Sequence, residues 1–194
     1  MRNKVTLSDP RGCLVALGSN QEWSGVNPMD ILSIALSHLK SADFFITKVS
    51  KFYQTPCFPV GAGPDYVNAA IVIRTNQDSS HVLKVLHDVE ATIGRERVQR
   101  WGMRTLDLDL LAVGQEIAPS EAEFMKWKTL DPALQSQAAP DKLILPHPRI
   151  QDRAFVLGPL NDIVPDWRHP VLGKTVREMF MALPAEQREE LKVL

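Results

Sequence analysis

An α+β fold with a ferredoxin-like β-α-β-β-α-β core is predicted by three observations. Apolar, β-branched runs alternate with stripes of helical period in the order strand, helix, strand, strand, helix, strand. Capping residues mark the helix ends, and prolines and glycines punctuate the rest. At 194 residues, 44% hydrophobic and 23% charged, the chain can fill one core, and 1–194 is expected to be a single domain with its core over about 13–178.

Residues 13–17, CLVAL, read as a buried strand that runs into the turn Gly18-Ser19-Asn20. Asn27 before Pro28 is a helix start, and Ile31, Leu32, Ala35, Leu36 and Leu39 make one apolar stripe behind it. Residues 44–53 read as one strand, residues 56–64 as a Pro/Gly loop, and residues 66–75 as an alternating strand. Ser80 is the expected start of the second helix, with Val82, Leu83, Leu86, Val89 and Ile93 inward and Gly94 as its stop. Residues 105–113, TLDLDLLAV, complete an antiparallel sheet with helices on one face; the other face is left free for a ligand or for more chain. Residues 118–141, with three prolines, read as an insertion.

Net charge is −1, from 22 basic and 23 acidic residues, which argues against a nucleic-acid-coating protein. The start, MRNKVTLSDPRG, lacks the apolar stretch of a signal peptide, and no apolar run reaches the roughly 18–20 residues of a membrane span. Cys13 and Cys57 are spaced as reduced thiols rather than as a disulfide framework or zinc site. A cytoplasmic protein with one function is expected, as a monomer or a dimer.

The chemistry concentrates in RERVQRWGMRTLDLDLLAVG, residues 95–114. Alternate strand side chains share a face, so Asp107 and Asp109 point one way while Leu106, Leu108 and Leu110 point into the core. Two carboxylates about 7 Å apart, at roughly 3.3 Å per residue, repel unless a cation lies near; Mg²⁺ takes one or two carboxylates and completes its shell with water and phosphates. Read alone, the pair is equally a polar strand face meeting water. Arg95, Arg97, Arg100 and Arg104 lie just before it, and guanidinium groups take phosphate oxygens bidentately. Both signs together suit a metal–nucleotide complex. Tyr66 and Asn68 share another strand face, where an aromatic and a carboxamide can hold a flat heterocycle, although a satisfied core tyrosine fits as well. Residues 145–160, LPHPRIQDRAFVLGPL, add His147, Arg153 and Phe155; by default the histidine is structural and the phenylalanine core. Glycine-rich phosphate cradles of the GxxxxGK[ST] or GxGxxG type are absent from the sequence.

With VALGSN (15–20), FYQTP (52–56), PDYVNAA (64–70), GRERVQRWGMRTLDLDLL (94–111) and LPHPRIQDRAFVLGPLNDIVPDW (145–167), the chain closely resembles the 6-hydroxymethyl-7,8-dihydropterin pyrophosphokinase family. The resemblance implies an enzyme of folate biosynthesis that transfers pyrophosphate from ATP to the pterin's hydroxymethyl group, leaving AMP, with two Mg²⁺ ions. It implies metal binding by Asp107 and Asp109, catalytic roles for both and for Arg95 and Arg104, and a mobile loop carrying Trp101. Tyr66 and Phe155 would sandwich the pterin, Asn68 would bond its edge, and Thr55 and Phe58 would line its pocket. Glu90, Arg97, Arg100, Lys142, His147 and Arg153 would lie on the ATP side. Met103 and Cys57 stand where the family more often has proline. Residues 95–104 are expected to close over the substrates. Two other readings compete: a non-catalytic nucleotide- or nucleic-acid-binding module, which leaves the aspartate pair unexplained, and a Mg²⁺-dependent phosphoryl transferase with another substrate.

Overall fold

The computed structural model describes residues 12–42, 44–57, 61, 63–94, 104–131, 134 and 140–194. At the centre is β1 (Gly12–Ser19), buried at every position. It lies antiparallel between β4 (Tyr66–Arg74) and β5 (Asp107–Val113). β2 (Phe45–Val49) and β3 (Tyr53–Thr55) share the far edge of β4, and β6 (Lys192–Val193) pairs with β3. The order β5-β1-β4-β3-β6 contains the predicted arrangement.

The single strand expected over 44–53 is two strands. Val49 pairs with Ile71 but Tyr53 pairs with Asn68, so this run spends one residue more than its partner. Ser50 absorbs the kink: its Oγ accepts from the Ala70 amide at 2.9 Å and donates to the Lys51 carbonyl at 2.7 Å.

Helix α1 (Pro28–Ser41) starts as predicted, with the Asn27 side chain accepting from the Asp30 amide at 3.0 Å. Helix α2 (Ser79–Thr92) starts one residue before Ser80, because Asp78 provides the cap by accepting from the His81 amide at 2.8 Å. Gly94 ends the helical run at φ +77°, and a Cβ there would stand 2.4 Å from Trp23 Nε1, so two constraints require glycine. Both helices cover one face of the sheet, over Val15, Leu17, Ile71, Ile73, Leu108 and Leu110. On the opposite face Leu14, Val72, Leu111 and Ala112 pack under α4 (Ala154–Ile163) and α5 (Val176–Ala182). A register irregularity between Leu14 and Val15 lets neighbouring Leu111 and Ala112 both reach this second core. A short α6 (Ala185–Glu189) follows, and Leu191 lies against Gly158 of α4.

The expected insertion leaves and returns at one point, since Ala118 and Leu145 exchange two backbone hydrogen bonds of 2.9 Å. Within it, α3 (Glu121–Lys128) is capped by Ser120 and buries Phe124 completely. The Phe124 ring lies 5.2 Å from that of His169, which lies 5.7 Å from Trp167.

His169 is fully buried, and its Nδ1 accepts from the amides of Val171 and Leu172, both at 3.2 Å. Burial pulls its pKa from 6.5 to about 4. The folded state therefore favours the neutral ring, and on acidification the unfolded chain takes the proton first. This stability is complete above pH 6.5 and is lost as pH falls toward 4, by roughly 3 kcal/mol in all. Between pH 7.5 and 5.0 the wild type should lose about 2 kcal/mol more than His169→Asn, whose side chain still accepts from the turn but does not titrate. Parallel urea-melt series for the two proteins would contradict this.

Among the described residues no helix is long and apolar enough to cross a membrane. Cys13 and Cys57 are buried and form no disulfide.

Candidate active site

Where β1 runs out toward Gly18, the second face of the sheet is no longer covered by the leucine-rich core. Asp107, Gly18, Asn68 and Tyr53 stand directly opposite one another on four successive strands. Opposed residues share a face, so the Asp107 carboxylate and the Asn68 carboxamide flank one bare glycine. Asp109 lies in the next row, opposite Ala16. A Cβ on Gly18 would stand 3.2 Å from Asn68 Oδ1 and 4.0 Å from the Tyr66 ring. The glycine keeps that floor open.

Both carboxylates are paired with arginines. Arg104 hydrogen-bonds Asp107, and Arg153 Nη1 lies 3.5 Å from Asp109 Oδ2. Burial alone would lower the Arg104 pKa, but Asp107, with Asp109 and Tyr66 behind it, holds it above its ordinary value. The Arg153 side chain is 27% and that of Asp109 35% exposed. Pairs this accessible contribute under about 1 kcal/mol, so phosphate and a metal ion can displace them at little cost. The guanidinium of Arg153 also lies 5.6 Å from the centre of the Phe155 ring, which is half open to solvent at the start of α4.

On the other side of Gly18, Asn68 is 5% exposed and its Nδ2 donates to Thr55 Oγ1 at 2.8 Å. That bond orients the carboxamide and turns Oδ1 toward the glycine gap. Burial raises the Tyr66 pKa, and Arg104 partly opposes it, so the phenol stays protonated beside the carboxylates.

Asn20, taken from the sequence as part of a turn, has a larger part. Its Oδ1 accepts from the Arg104 amide at 2.9 Å, its amide donates to the Arg104 carbonyl at 3.1 Å, and its Nδ2 donates to the Pro64 carbonyl at 3.2 Å. Ser19 Oγ donates to the Thr105 carbonyl at 2.6 Å. Gly18 and Ser19, expected in a turn, instead continue β1, and its end at Ser19 and Asn20 anchors segments from both sides of the cleft. The sequence signals were a polar pair at the end of a buried strand and its place in the matching stretch VALGSN.

His147 follows β5 closely, its amide donating to the Leu111 carbonyl at 2.7 Å. Burial, and then the charge of Arg153, pull its pKa down to about 3. Nδ1 accepts from the Arg149 amide at 3.1 Å, so the neutral ring carries its proton on Nε2.

Glu90 and Lys142, both expected on the ATP side, have the following surroundings. Glu90 is 1% exposed and faces the strand backbone, its Oε1 accepting from the Leu108 amide at 2.7 Å. Lys142 lines a separate cavity of about 260 Å³ with Pro119, Trp127 and Ile144. Phe58, Arg95, Arg97, Arg100, Trp101 and Met103 lie outside the described residues, as does most of the segment expected to close.

Among the described residues no cluster of three or more His, Cys, Asp or Glu side chains is arranged to hold a metal. Two carboxylates on an open face, each already drawing a cationic side chain, suit an ion that takes most of its ligands from water and substrate phosphates.

Residues 14–165 match the family model for 7,8-dihydro-6-hydroxymethylpterin-pyrophosphokinase (HPPK). The chain is 32% identical over 170 residues to a 2-amino-4-hydroxy-6-hydroxymethyldihydropteridine pyrophosphokinase of Synechocystis, covering 87% of this chain and 74% of that one. With the enzyme of the same name from Pseudomonas aeruginosa it is 33% identical over 178 residues, 91% and 94% of the two chains. Among solved structures, wild-type HPPK-DHPS of Plasmodium falciparum superposes with a TM-score of 0.59 at 15% identity, over 88% of this chain and 44% of that one. That likeness is one of fold, and this chain spans less than half of the solved one. On the match over residues 14–165 and these relatives, the chain belongs to the 7,8-dihydro-6-hydroxymethylpterin-pyrophosphokinase family.

Proposed function

We propose that the open face around Gly18 is where this chain performs its family's reaction. The chain is a pyrophosphokinase of folate biosynthesis, transferring the β,γ-pyrophosphoryl group of ATP to the hydroxymethyl oxygen of 6-hydroxymethyl-7,8-dihydropterin. The bond formed joins that oxygen to the β-phosphorus. The bond broken joins the β-phosphorus to the bridging oxygen, which leaves with AMP.

The observation that carries the assignment is the row Asp107–Gly18–Asn68. It sets Asp107 and Asn68 one glycine apart, which supports reading the first as a metal ligand and the second as the reader of the heterocycle. Asp107 and Asp109 would hold Mg²⁺, two ions in our reading, which when bound neutralises charge on the phosphate oxygens. Asn68 Oδ1, with its donor end occupied by Thr55, selects an N–H edge on the heterocycle. Tyr66 and Phe155 supply the two flat faces. Arg104 and Arg153 exchange their carboxylate partners for phosphate oxygens, and His147 donates from Nε2. Because the transferring group needs positioning and charge neutralisation more than covalent help, these contacts suffice for the protein's part.

The test is product identity with ATP, the dihydropterin and Mg²⁺. AMP and the pterin diphosphate are expected in equal amounts. ADP would indicate a single phosphoryl transfer instead, and no nucleotide product would leave only a binding module.

A further inference from the structure

We propose that Glu90 is a positioning residue for the aspartate pair and acts through the backbone of Leu108, not through ATP. Among the described residues β5 is the edge of the sheet, with β1 on one side and no strand on the other. Edge amides that point away from the sheet need another acceptor once buried. The Leu108 amide sits between Asp107 and Asp109, and Glu90 Oε1 accepts from it at 2.7 Å. Glu90 comes from the last turn of α2 and is 1% exposed, so its carboxylate is enclosed between helix and strand. Val89 and Ile93 on the helix and Leu106 and Leu108 on the strand side lie in the same core.

Burying a carboxylate there costs several kcal/mol unless hydrogen bonds offset it. A core position without a positional requirement would hold leucine. The bond fixes the Asp107–Leu108 peptide, one of the two that join the aspartates, and so constrains the angle at which the side chains leave the strand. A tilt of that peptide would separate the two carboxylates from a shared set of phosphate oxygens. Partners one step removed from a metal's ligands typically change affinity or activity 10–100-fold when replaced.

This inference rests on reading Asp107 and Asp109 as the metal ligands. The experiment compares Glu90→Gln, which keeps an oxygen acceptor without charge, with Glu90→Leu, which keeps volume without an acceptor. Three quantities are read in each: exchange of the Leu108 amide by NMR, affinity for Mn²⁺ as a metal probe with a non-hydrolysable ATP analogue, and steady-state rate. Expected for Glu90→Leu are fast Leu108 exchange, Mn²⁺ affinity down at least about 10-fold, and a similar fall in kcat with the pterin KM within about two-fold. Expected for Glu90→Gln are retained Leu108 protection and metal affinity and rate within about three-fold of wild type, since the oxygen acceptor survives.

Equal damage in both variants with Leu108 still protected would assign the effect to charge or nucleotide contact and overturn the proposal. So would a folded Glu90→Leu with wild-type Mn²⁺ affinity and rate. If Glu90→Leu does not fold, Glu90→Gln decides alone: a large loss with Leu108 protection intact overturns the proposal, and near-wild-type values sustain it. Active Asp107→Ala and Asp109→Ala variants would instead refute the metal reading, whatever Glu90 does.

Discussion

Asp107→Ala and Asp109→Ala are each expected to lower the rate of AMP formation by about three orders of magnitude or more, equivalent to at least about 4 kcal/mol of barrier. Their folding should be little affected. The two carboxylates share one face of the strand, outside the leucine core, and the Arg153–Asp109 pair is accessible enough to contribute under about 1 kcal/mol. Removing Asp107 also leaves Arg104 without its nearest countercharge, so ATP binding without metal should not weaken. Rates, Mg²⁺ dependence and urea melts of both variants check the three statements together. A variant keeping more than about a tenth of the wild-type rate would rule out its aspartate as a metal ligand, because that loss is only about 1.4 kcal/mol.

The second large effect is expected far from the cleft. Phe124→Ala should destabilise the protein by about 3–5 kcal/mol, the usual cost of emptying a fully buried phenylalanine site. In a chain of this size that lowers Tm by roughly 10 °C. The ring is held against His169 and so ties α3 to the second core. The aspartates lie on another part of the sheet, so kcat of the folded variant at low temperature should stay within about three-fold of wild type. A thermal melt shifted by less than about 2 °C would show that the 118–141 segment can detach without disturbing the rest.

The strand bearing both aspartates was legible because its leucines and aspartates alternate with period two, and period two assigns faces without further information. The caps at Asn27 and Asp78 are local chemistry; the first was read correctly, and the second was misplaced because two serines follow Asp78. The break at Ser50 was not legible. It depends on the register of β2 and β3 against a partner about 20 residues away, which composition does not encode. The surroundings of Glu90 were not legible for a related reason. A glutamate in the last turn of a helix normally faces water, and only the packing of α2 against an edge strand gives it a buried amide to serve. Phe124 lies in the segment that read as an insertion, yet its burial is complete, because its ring packs on His169, itself against Trp167, at the far end of the chain.

The position of Gly18 on β1 has a thermodynamic consequence. A strand buried along its whole length and bonded on both edges opens only when the entire protein unfolds. The floor of the cleft is therefore part of the central, doubly paired strand of the sheet. A ligand that settles on it loses its own translational and rotational freedom but orders no protein backbone there. That pairing also ties substrate selectivity to global stability. A side chain introduced at Gly18 to reshape the floor meets Asn68 at 3.2 Å, and any relief must come from strands that hold the fold together. Selectivity is more freely altered from the rim, at Phe155, where the ring is half exposed and its surroundings can yield.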